Sequence, residues 1–252
     1  MIPWSHLDSA QVPDGGELRL MRRGTEFSIM MGTNELMNSR LSGSEEALAN
    51  LVGDRLPERP HPRILIGGLG MGFTLRAALA RFGPQAELVV CELVPAVVAW
   101  ARGPMAEVSG GSLDDPRVVI HEGDVGALIR AGRGLYDAIL LDVDNGPDGL
   151  TRASNDSLYT LSGLADARAA LTPGGLLAVW SSRPDVRFTS RLYKAGFAVE
   201  EVGVRANGKR GGARHVIWIA AKPAAGPAAP RPPSRAPSLQ PMSRQTPGRK
   251  RS

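Results

Sequence analysis

The stretch Arg63-Ile-Leu-Ile-Gly-Gly-Leu-Gly-Met-Gly72 decides the fold of this chain. Three consecutive apolar residues, 64–66, run straight into glycines at positions 67, 68, 70 and 72. An unbroken apolar run is typical of a strand that is covered on both faces of a parallel sheet. Glycines let the backbone turn tightly and approach a ligand, and the helix that follows presents free N–H groups. The stretch therefore predicts the nucleotide-binding start of an α/β sheet.

Outward from this stretch, predicted strands and helices alternate along the chain. The predicted strands cover residues 64–66, 87–91, 118–120, 137–141 and 176–180, and the predicted helices cover 73–81, 95–102, 125–131, 158–171 and 186–195. Two last strands, 197–204 and 215–220, have no helix between them and are expected to form an antiparallel pair at one edge. The pattern predicts a doubly wound, mostly parallel, seven-stranded α/β sheet of the Rossmann type.

The region before this sheet is expected to form a small β element. Two β-rich runs, 17–21 and 26–31, surround a turn that contains Gly24 and are typical of a hairpin. A helix is expected to follow, with Ser42 or Ser44 as its cap and acids in its first turn. We therefore predict three parts, namely an N-terminal β hairpin and helix at 1–50, the α/β domain at 51–222, and a tail at 223–252.

The tail differs in composition from the rest of the chain. It carries eight prolines, six Lys or Arg and no acid, so the net charge of +5 for the whole chain belongs to the tail. Proline-rich sequence with few apolar residues cannot bury enough surface to offset its ordering entropy, so a disordered basic tail is expected. Because the charges of the remainder balance, nucleic acid is not an expected partner of the folded part.

Several classes of protein are disfavoured by the cysteine, the histidines and the amino terminus. The one cysteine, Cys91, allows no internal disulfide. The four histidines lack the spacing of metal ligands, so no metal is expected. There is no signal-peptide pattern, and no apolar run approaches the roughly 18 residues that a membrane span needs, so a cytoplasmic protein without membrane contact is expected.

Parallel sheets bind ligands at the carboxyl ends of their strands, so the residues directly after each apolar run are candidates. Glu92 follows the second strand, where an acid accepts hydrogen bonds from both hydroxyls of a ribose. Asp124 follows the third strand and either accepts from the exocyclic amine of adenine or caps helix 125–131. Asp142, Asp144 and Asn145 follow the fourth strand as a polar cluster without a structural need. At the end of the fifth strand, Trp180 either lines the pocket or packs in the core.

The glycine spacing bears on which nucleotide binds. Positions 68, 70 and 72 form Gly-x-Gly-x-Gly, and Phe73 and Leu75 stand where the dinucleotide fingerprint would need its third glycine. NAD is therefore disfavoured, and a nucleoside without a second nucleotide is favoured.

In order and spacing, these segments resemble the spermidine synthase family, the aminopropyltransferases within the class I S-adenosylmethionine-dependent methyltransferase superfamily. The resemblance rests on the strand and turn at 64–68, on Glu92, on the run 113–118 that leads to Gly123 and Asp124, on 136–142 and on 171–175. The small hairpin and the segment 35–49 also look like the N-terminal part of that family. The resemblance covers about residues 17 to 222.

The resemblance implies a transferase of polyamine biosynthesis that moves an aminopropyl group from decarboxylated S-adenosylmethionine to an amine such as putrescine. It implies that Asp142 helps to deprotonate the attacking amine, with Asp144 or Asn145 beside it. The residues expected to bind the group donor are Gly67, Gly68, Gly70, Gly72, Glu92, Leu93, Asp124, Val125 and Asp142.

Two departures from the family pattern leave alternatives open. The family carries an acid in its glycine loop where this chain has Gly70, and that acid pairs with the amine of the decarboxylated donor. The family's second catalytic acid is replaced here by Asn145, and Asp144 lies one residue earlier. An acid-free glycine turn suits the carboxylate of ordinary S-adenosylmethionine, so methyl transfer to a small molecule is the first alternative. A nucleoside-binding protein without catalysis is the second. The edge of the hairpin also offers a surface for a homodimer.

Overall fold

The computed structural model describes residues 2–13, 15–143, 157–208 and 211–224, which fold around two β-sheets. The predicted disordered tail therefore lies outside the described residues beyond position 224. The strands are β1 (Ser5–Gln11), β2 (Glu17–Arg23), β3 (Glu26–Met31), β4 (Asn34–Asn38), β5 (Arg63–Gly67), β6 (Glu87–Glu92), β7 (Val118–Glu122), β8 (Tyr136–Leu141), β9 (Leu171–Ser181), β10 (Ala198–Arg205) and β11 (Arg214–Ala221). The helices are α1 (Gly43–Arg55), α2 (Phe73–Arg81), α3 (Pro95–Arg102), α4 (Ala106–Ser109), α5 (Val125–Ala131), α6 (Leu161–Ala170) and α7 (Val186–Lys194), with 3₁₀ turns at Ser112–Asp114 and Ser157–Tyr159.

The N-terminal sheet contains the predicted hairpin and two strands that the sequence pattern did not predict. Its order is β1-β2-β3-β4, and all neighbours are antiparallel. Leu20 and Ile29 face each other across the predicted hairpin and are fully buried. Strand β1 is mostly exposed, and β4 is partly exposed and partly half-buried. Neither carries an alternating apolar pattern, and β1 reads Ser-His-Leu-Asp-Ser-Ala-Gln. Such strands form by pairing with a neighbour, which a single-segment pattern does not reveal.

The large sheet confirms the predicted doubly wound α/β architecture. Its strand order is β10-β11-β9-β8-β5-β6-β7. The five strands from β5 to β9 run parallel, whereas β10 and β11 form the antiparallel pair expected at one edge. Strand β5 lies between β6 and β8, so the chain extends the sheet to β6 and β7 on one side of β5 and then crosses to β8 on the other side. This reversal opens the crevice in which such sheets bind ligands.

Alternating strand residues build one hydrophobic layer on each face of the large sheet. Ile64 and Ile66 pack with α1, α2 and α3, whereas Leu65 between them packs with α5, α6 and α7. The first layer also contains Leu20 and Ile29, so it joins the small sheet to the large one. Burying one such Leu or Ile side chain contributes about 1.5–3 kcal/mol. The small sheet is thereby held over the carboxyl ends of the parallel strands.

Some helix and strand boundaries differ from the predictions for local reasons. Helix α6 begins at Leu161 instead of residue 158, because the Thr160 hydroxyl caps it and accepts from the Gly163 N–H at 3.1 Å. It ends at Ala170, because the backbone becomes extended at Leu171 and pairs with Tyr136. Helix α1 begins at Gly43, and the Ser42 side chain makes no capping bond. Among the described residues, no helix has both the length and the apolar character that crossing a membrane requires.

Candidate active site

The ends of four strands at the carboxyl edge of the large sheet are joined by three backbone hydrogen bonds. The Gly68 N–H donates to the Cys91 carbonyl at 2.9 Å, and the Gly123 N–H donates to the Glu92 carbonyl at 2.8 Å. The Asp142 N–H donates to the Gly67 carbonyl at 2.9 Å. The ends of β5, β6, β7 and β8 therefore form one rigid rim, which fixes the positions of the side chains that follow each strand.

The glycine turn after β5 depends on conformations that other residues rarely adopt. Gly68, Gly70 and Gly72 have φ angles of 87°, 51° and 81°. A Cβ atom added at Gly68 would lie 2.5 Å from the carbonyl oxygen of Asp142, so any side chain there would displace the strand end that carries this acid. Gly72 is the N-cap of α2, so the first N–H groups of this helix lie at the rim.

Glu92 is held at the end of β6 by backbone N–H groups. One carboxylate oxygen accepts from the Leu69 N–H at 2.8 Å and the other from the Val94 N–H at 2.9 Å. The side chain is buried, and burial raises the pKa of this carboxyl, while the N–H groups of Val94 and Leu69 act to lower it. Each oxygen has lone pairs left over, and these can accept from two adjacent hydroxyls such as those of a ribose.

A cavity between the two sheets brings most of the predicted nucleoside-binding residues together. Its walls include Glu92 and Leu93 after β6, Asp124 and Val125 after β7, and Asp142 after β8. The small sheet closes it with apolar side chains, and we name it the nucleoside cavity. The remaining lining residues are Val12, Leu18, Ile29, Met31, Leu36, Met37, Gly68, Gly70, Cys91, Val94, Val97, Gly123 and Val143. An acid set among backbone N–H groups beside an apolar cleft is compatible with the predicted nucleoside site, in which Glu92 is expected to accept from the ribose.

Asp124 performs the capping role that the sequence left open as one alternative. One carboxylate oxygen accepts from the Gly126 N–H at 2.8 Å, which caps α5, and the other accepts from Arg130 at 3.1 Å. Because about half of the Asp124 side chain is exposed, the second oxygen can also face a ligand in the nucleoside cavity. The capping role and a contact with adenine are therefore compatible.

Asp142 lies where the nucleoside cavity meets a second cavity. The Thr74 hydroxyl, which is buried in α2, donates to a carboxylate oxygen of Asp142 at 2.7 Å. Burial, and after it the nearby Glu45 charge, raise the pKa of Asp142 to about 7, although the Thr74 hydroxyl acts to lower it. A carboxyl with this pKa takes up and releases protons near neutral pH, as a general base must.

The second cavity is lined by apolar side chains together with two acids. Its walls are Leu36, Met37, Glu45, Leu69, Gly70, Met71, Phe73, Asp142 and Trp180, and we name it the acceptor cavity. Four of these residues, Leu36, Met37, Gly70 and Asp142, also line the nucleoside cavity. The two cavities therefore adjoin at Asp142. Trp180, which the sequence placed either in the pocket or in the core, lines this cavity.

Other predicted site residues take different positions. Gly67 and Gly72 do not line either cavity; a Cβ atom at Gly67 would lie 3.0 Å from the Leu141 side chain, so packing explains this glycine. Asp144 and Asn145 lie outside the described residues. Cys91 is buried in β6 as expected, and burial raises the pKa of its thiol to about 12.

Sequence reasoning did not identify three contributors to the site. Thr74 has the appearance of an ordinary helix residue, and Glu45 has that of an acid favoured by the helix dipole in the first turn of α1. The apolar residues of the small sheet, such as Met37, have no signal that directs them to a pocket. Only tertiary packing brings these residues to Asp142: α1 and α2 pack against the large sheet, and the small sheet packs over the strand ends.

Comparison with known proteins agrees with the predicted resemblance. No family model matches this chain. The chain is similar to polyamine aminopropyltransferase 1 of Streptomyces coelicolor, with 35% identity over 127 residues that make up 50% of this chain and 23% of that protein. It is 33% identical over 147 residues to the polyamine aminopropyltransferase of Mycobacterium tuberculosis, covering 54% of this chain and 27% of that protein. The chain thus spans about a quarter of the length of these curated relatives.

Solved structures share the fold over most of the chain. The spermidine synthase of Thermotoga maritima superimposes with a TM-score of 0.69 at 20% identity, covering 86% of this chain and 72% of that one. A spermidine synthase in complex with the transition-state analogue AdoDATO superimposes with a TM-score of 0.68, at the same identity and coverage. The predicted resemblance to the aminopropyltransferases and the class I methyltransferase-like fold are both confirmed.

Proposed function

We propose that this chain is a spermidine-synthase-like transferase that moves an aminopropyl group from decarboxylated S-adenosylmethionine to a primary amine such as putrescine. Support comes from the similarity to the aminopropyltransferases, whose spermidine synthase fold the chain shares. The single observation that carries the proposal is the position of Asp142, which lines the nucleoside cavity and the acceptor cavity at once. A base at this junction can reach the amine while the amine reaches the reacting carbon.

The proposed reaction places one proton transfer on Asp142. The group donor supplies a carbon beside a sulfonium, and the carbon–sulfur bond breaks as the nitrogen–carbon bond forms, which releases methylthioadenosine. The acceptor arrives as an ammonium ion, which has no lone pair, so it must lose a proton before attack. The Asp142 carboxylate accepts this proton, and its pKa of about 7 leaves a large ionised fraction at neutral pH.

The other residues bind and orient. Glu92 accepts from the ribose hydroxyls, Asp124 faces the adenine amine, and Gly68 and Gly70 allow the backbone to approach the ligand. The small sheet excludes water from the junction with apolar side chains such as Met37. Positioning of this kind accounts for a large part of the rate of a displacement reaction between two bound molecules.

The test is to incubate the purified chain with each group donor, with and without putrescine, and to measure the nucleoside products. We expect methylthioadenosine, formed only when decarboxylated S-adenosylmethionine and putrescine are both present. S-adenosylhomocysteine formed from ordinary S-adenosylmethionine would contradict aminopropyl transfer and support methyl transfer. Nucleoside binding by calorimetry without either product would indicate a binding protein.

Methyl transfer remains the second candidate because of one observation at the glycine turn. Among the described lining residues, the acids of the nucleoside cavity are Glu92, Asp124 and Asp142, and none of them is part of the glycine loop. A Cβ atom at Gly70 would lie 3.1 Å from the Met37 sulfur, so this thioether occupies space that an acidic side chain would need. The amine of a decarboxylated donor therefore has no acid from this turn, whereas a carboxylate would not be repelled here.

A further inference from the structure

Glu45 lies in the first turn of α1 and faces the acceptor cavity. Its carboxylate accepts from the Ser44 hydroxyl at 2.7 Å, and its backbone carbonyl accepts from the Thr74 hydroxyl at 3.3 Å. The Thr74 hydroxyl also contacts Asp142 at 2.7 Å. One buried hydroxyl thus links the backbone of Glu45 to the carboxylate of Asp142, and this contact fixes α1 against the rim.

The Glu45 side chain is oriented by contacts with Ser44 and, through Ser44, with His215. The Ser44 hydroxyl donates its hydrogen to Glu45. The Ser44 oxygen can therefore accept from the His215 ring nitrogen Nδ1, which lies 3.0 Å away. Ser44 is fully buried, and His215 packs edge-on against Trp180 with 4.8 Å between the ring centres. The Glu45 carboxylate is therefore oriented by a chain of contacts that reaches strand β11.

The charges around the acceptor cavity are unbalanced. Its described lining residues include two carboxyl groups, Glu45 and Asp142, and no Lys, Arg or His. Burial raises the pKa of Glu45, and the neighbouring Glu46 charge raises it as well. Two partly desolvated acids without a cation are unfavourable, and a cationic ligand that enters between them relieves this cost.

Trp180 gives an independent indication of a ligand in the same cavity. Its side chain is about nine-tenths buried, and its indole nitrogen Nε1 has no hydrogen-bond acceptor among the described residues. An unpaired buried N–H costs about 1–3 kcal/mol, which a ligand atom with a lone pair would recover. The cavity therefore presents acids for a cation, and one residue of its wall carries an N–H donor without a partner among the described residues.

We propose that Glu45 is a second acceptor-binding carboxylate, which together with Asp142 holds the primary ammonium of the amine, and that an amine whose chain also carries a hydrogen-bond acceptor binds more tightly through the Trp180 N–H. Glu45 thereby supplies, from α1, the second acid that the aminopropyltransferase pattern carries three residues after the first and that this chain replaces with Asn145. In this arrangement Glu45 holds the nitrogen, while Asp142 takes the proton. The inference rests on the proposed function, because it assigns the acceptor side of the same site.

The first experiment measures binding, so it does not depend on turnover. Putrescine is titrated by calorimetry into the protein saturated with methylthioadenosine, for the wild type, for Glu45→Gln and for Glu46→Gln. Glu46 is the matched control, because it is the next residue of α1, pairs with Arg76 at the surface and does not line the cavity. We expect putrescine to bind at least about 10-fold more weakly to Glu45→Gln and within about 2-fold of wild type to Glu46→Gln.

Equal affinities for Glu45→Gln and wild type, or no binding of putrescine to the wild type, would overturn the assignment of Glu45. If Glu45→Gln fails to fold, Glu45→Asp is used, since it keeps the charge but withdraws it from the cavity. When binding follows the expectation but no group donor is turned over, the proposed reaction fails while the amine site stands. When turnover occurs and Glu45→Gln matches the control, the inference about Glu45 fails while the reaction stands.

A second experiment tests the chemical class of the acceptor. The same titration compares butylamine with 4-aminobutan-1-ol, which has the same length and adds one hydroxyl. We expect the amino alcohol to bind about 5-fold or more tightly than butylamine to the wild type, and Trp180→Phe to abolish this difference. A preference that survives in Trp180→Phe, or its absence in the wild type, would contradict the role of the indole N–H.

Discussion

Glu92 and Asp142 end the two strands that flank β5, and burial raises the pKa of both carboxyl groups. Their surroundings differ. Glu92 is surrounded by backbone N–H groups, which cannot move without moving the rim. Asp142 accepts one hydrogen bond from the Thr74 hydroxyl and faces another acid, Glu45. Two strand ends of the same sheet thus carry acids of different kinds. Glu92 is fixed by the backbone, whereas the charge of Asp142 depends on side chains.

The difference in surroundings indicates that the two acids have different roles. An acid that holds a ribose must keep one geometry and one charge, and backbone N–H groups supply both. An acid that removes a proton must change its charge near neutral pH, so it needs a balance of opposing effects. Burial and Glu45 favour the protonated form of Asp142, whereas Thr74 favours the ionised form. The predictions below separate these two roles.

The largest effect is expected from Asp142→Asn, which removes the proton acceptor but keeps the shape of the side chain. Because general base catalysis contributes about 10²–10⁴-fold, we expect kcat with decarboxylated S-adenosylmethionine and putrescine to fall by about that factor. Calorimetry should show that methylthioadenosine binds within a few-fold of wild type, since Glu92 holds the ribose. A kcat within 10-fold of wild type would contradict the role of Asp142 as the base.

The next largest effect is expected from Glu92→Gln, which places an amide group among backbone N–H donors. A buried hydrogen bond that is lost costs about 1–3 kcal/mol, so methylthioadenosine should bind about 10- to 100-fold more weakly by calorimetry. Glu122→Gln is the matched control, because Glu122 ends the neighbouring strand at the same level but is exposed. Similar affinities for the two variants would show that Glu92 supports the fold and not the ligand.

The effect of Thr74→Val is smaller and depends on pH. The variant removes the hydroxyl that stabilises the ionised form of Asp142, so the pKa of this acid should rise from about 7. A hydrogen bond to a charged group contributes about 1.5 kcal/mol, and therefore the acidic limb of kcat/KM should move to higher pH by about one unit. Below this pKa Asp142 is protonated and cannot accept a proton, so activity is lost as the pH falls.

The measurement is the pH profile of kcat/KM for wild type, Thr74→Val and Thr74→Ser. At pH 7 the valine variant should be about five times slower, and at pH 9 all three should converge, because Asp142 is then ionised in each. The serine variant keeps the hydroxyl and should follow the wild type. Glu45→Gln should move the limb the opposite way, since it removes a negative charge that faces Asp142. An acidic limb of kcat/KM at the same pH in wild type and in Thr74→Val would contradict the link between Thr74 and the charge of Asp142.

The same contrast explains how much of the molecule could be predicted from the sequence. Glu92, Asp124 and Asp142 were predictable as rim residues, because each lies within a few residues of the end of an apolar run that the sheet places there. Glu45 and Thr74 lie in helices, where an acid in the first turn and a threonine are ordinary residues. Their contact with Asp142 depends on how α1 and α2 pack across the sheet, and Glu45 precedes Asp142 by nearly 100 residues. Local pattern determines the strand ends, whereas tertiary packing determines what surrounds them.

The small sheet shows the same limit. The hairpin of β2 and β3 was predictable from two β-rich runs around a turn, but β1 and β4 were not, since β1 is largely exposed and β4 is at most half-buried. The predicted element did not reveal that Met37 of β4 reaches the glycine turn. A side chain that is apolar and only partly buried has no pattern that distinguishes a cavity wall from a surface.

The smallest effect is expected from Asp124→Asn, which separates the capping role from the adenine contact. Asn caps helices as well as Asp does, so its oxygen keeps the bond to the Gly126 N–H and the free energy of unfolding should change by only about 0.5 kcal/mol. The second carboxylate oxygen becomes an amide N–H, which cannot accept from the adenine amine. We expect methylthioadenosine to bind about 3- to 10-fold more weakly by calorimetry, with the thermal unfolding midpoint almost unchanged.

Arg130→Gln is the matched control for this last comparison, because it also breaks the ion pair but leaves both carboxylate oxygens of Asp124 in place. Nucleoside affinity in this variant should stay within about 2-fold of wild type, since an exposed pair contributes about 1 kcal/mol or less. If Asp124→Asn binds the nucleoside as tightly as wild type, Asp124 is a helix cap alone. The rim would then hold the nucleoside by the acid that is fixed by the backbone, Glu92, and by apolar contacts.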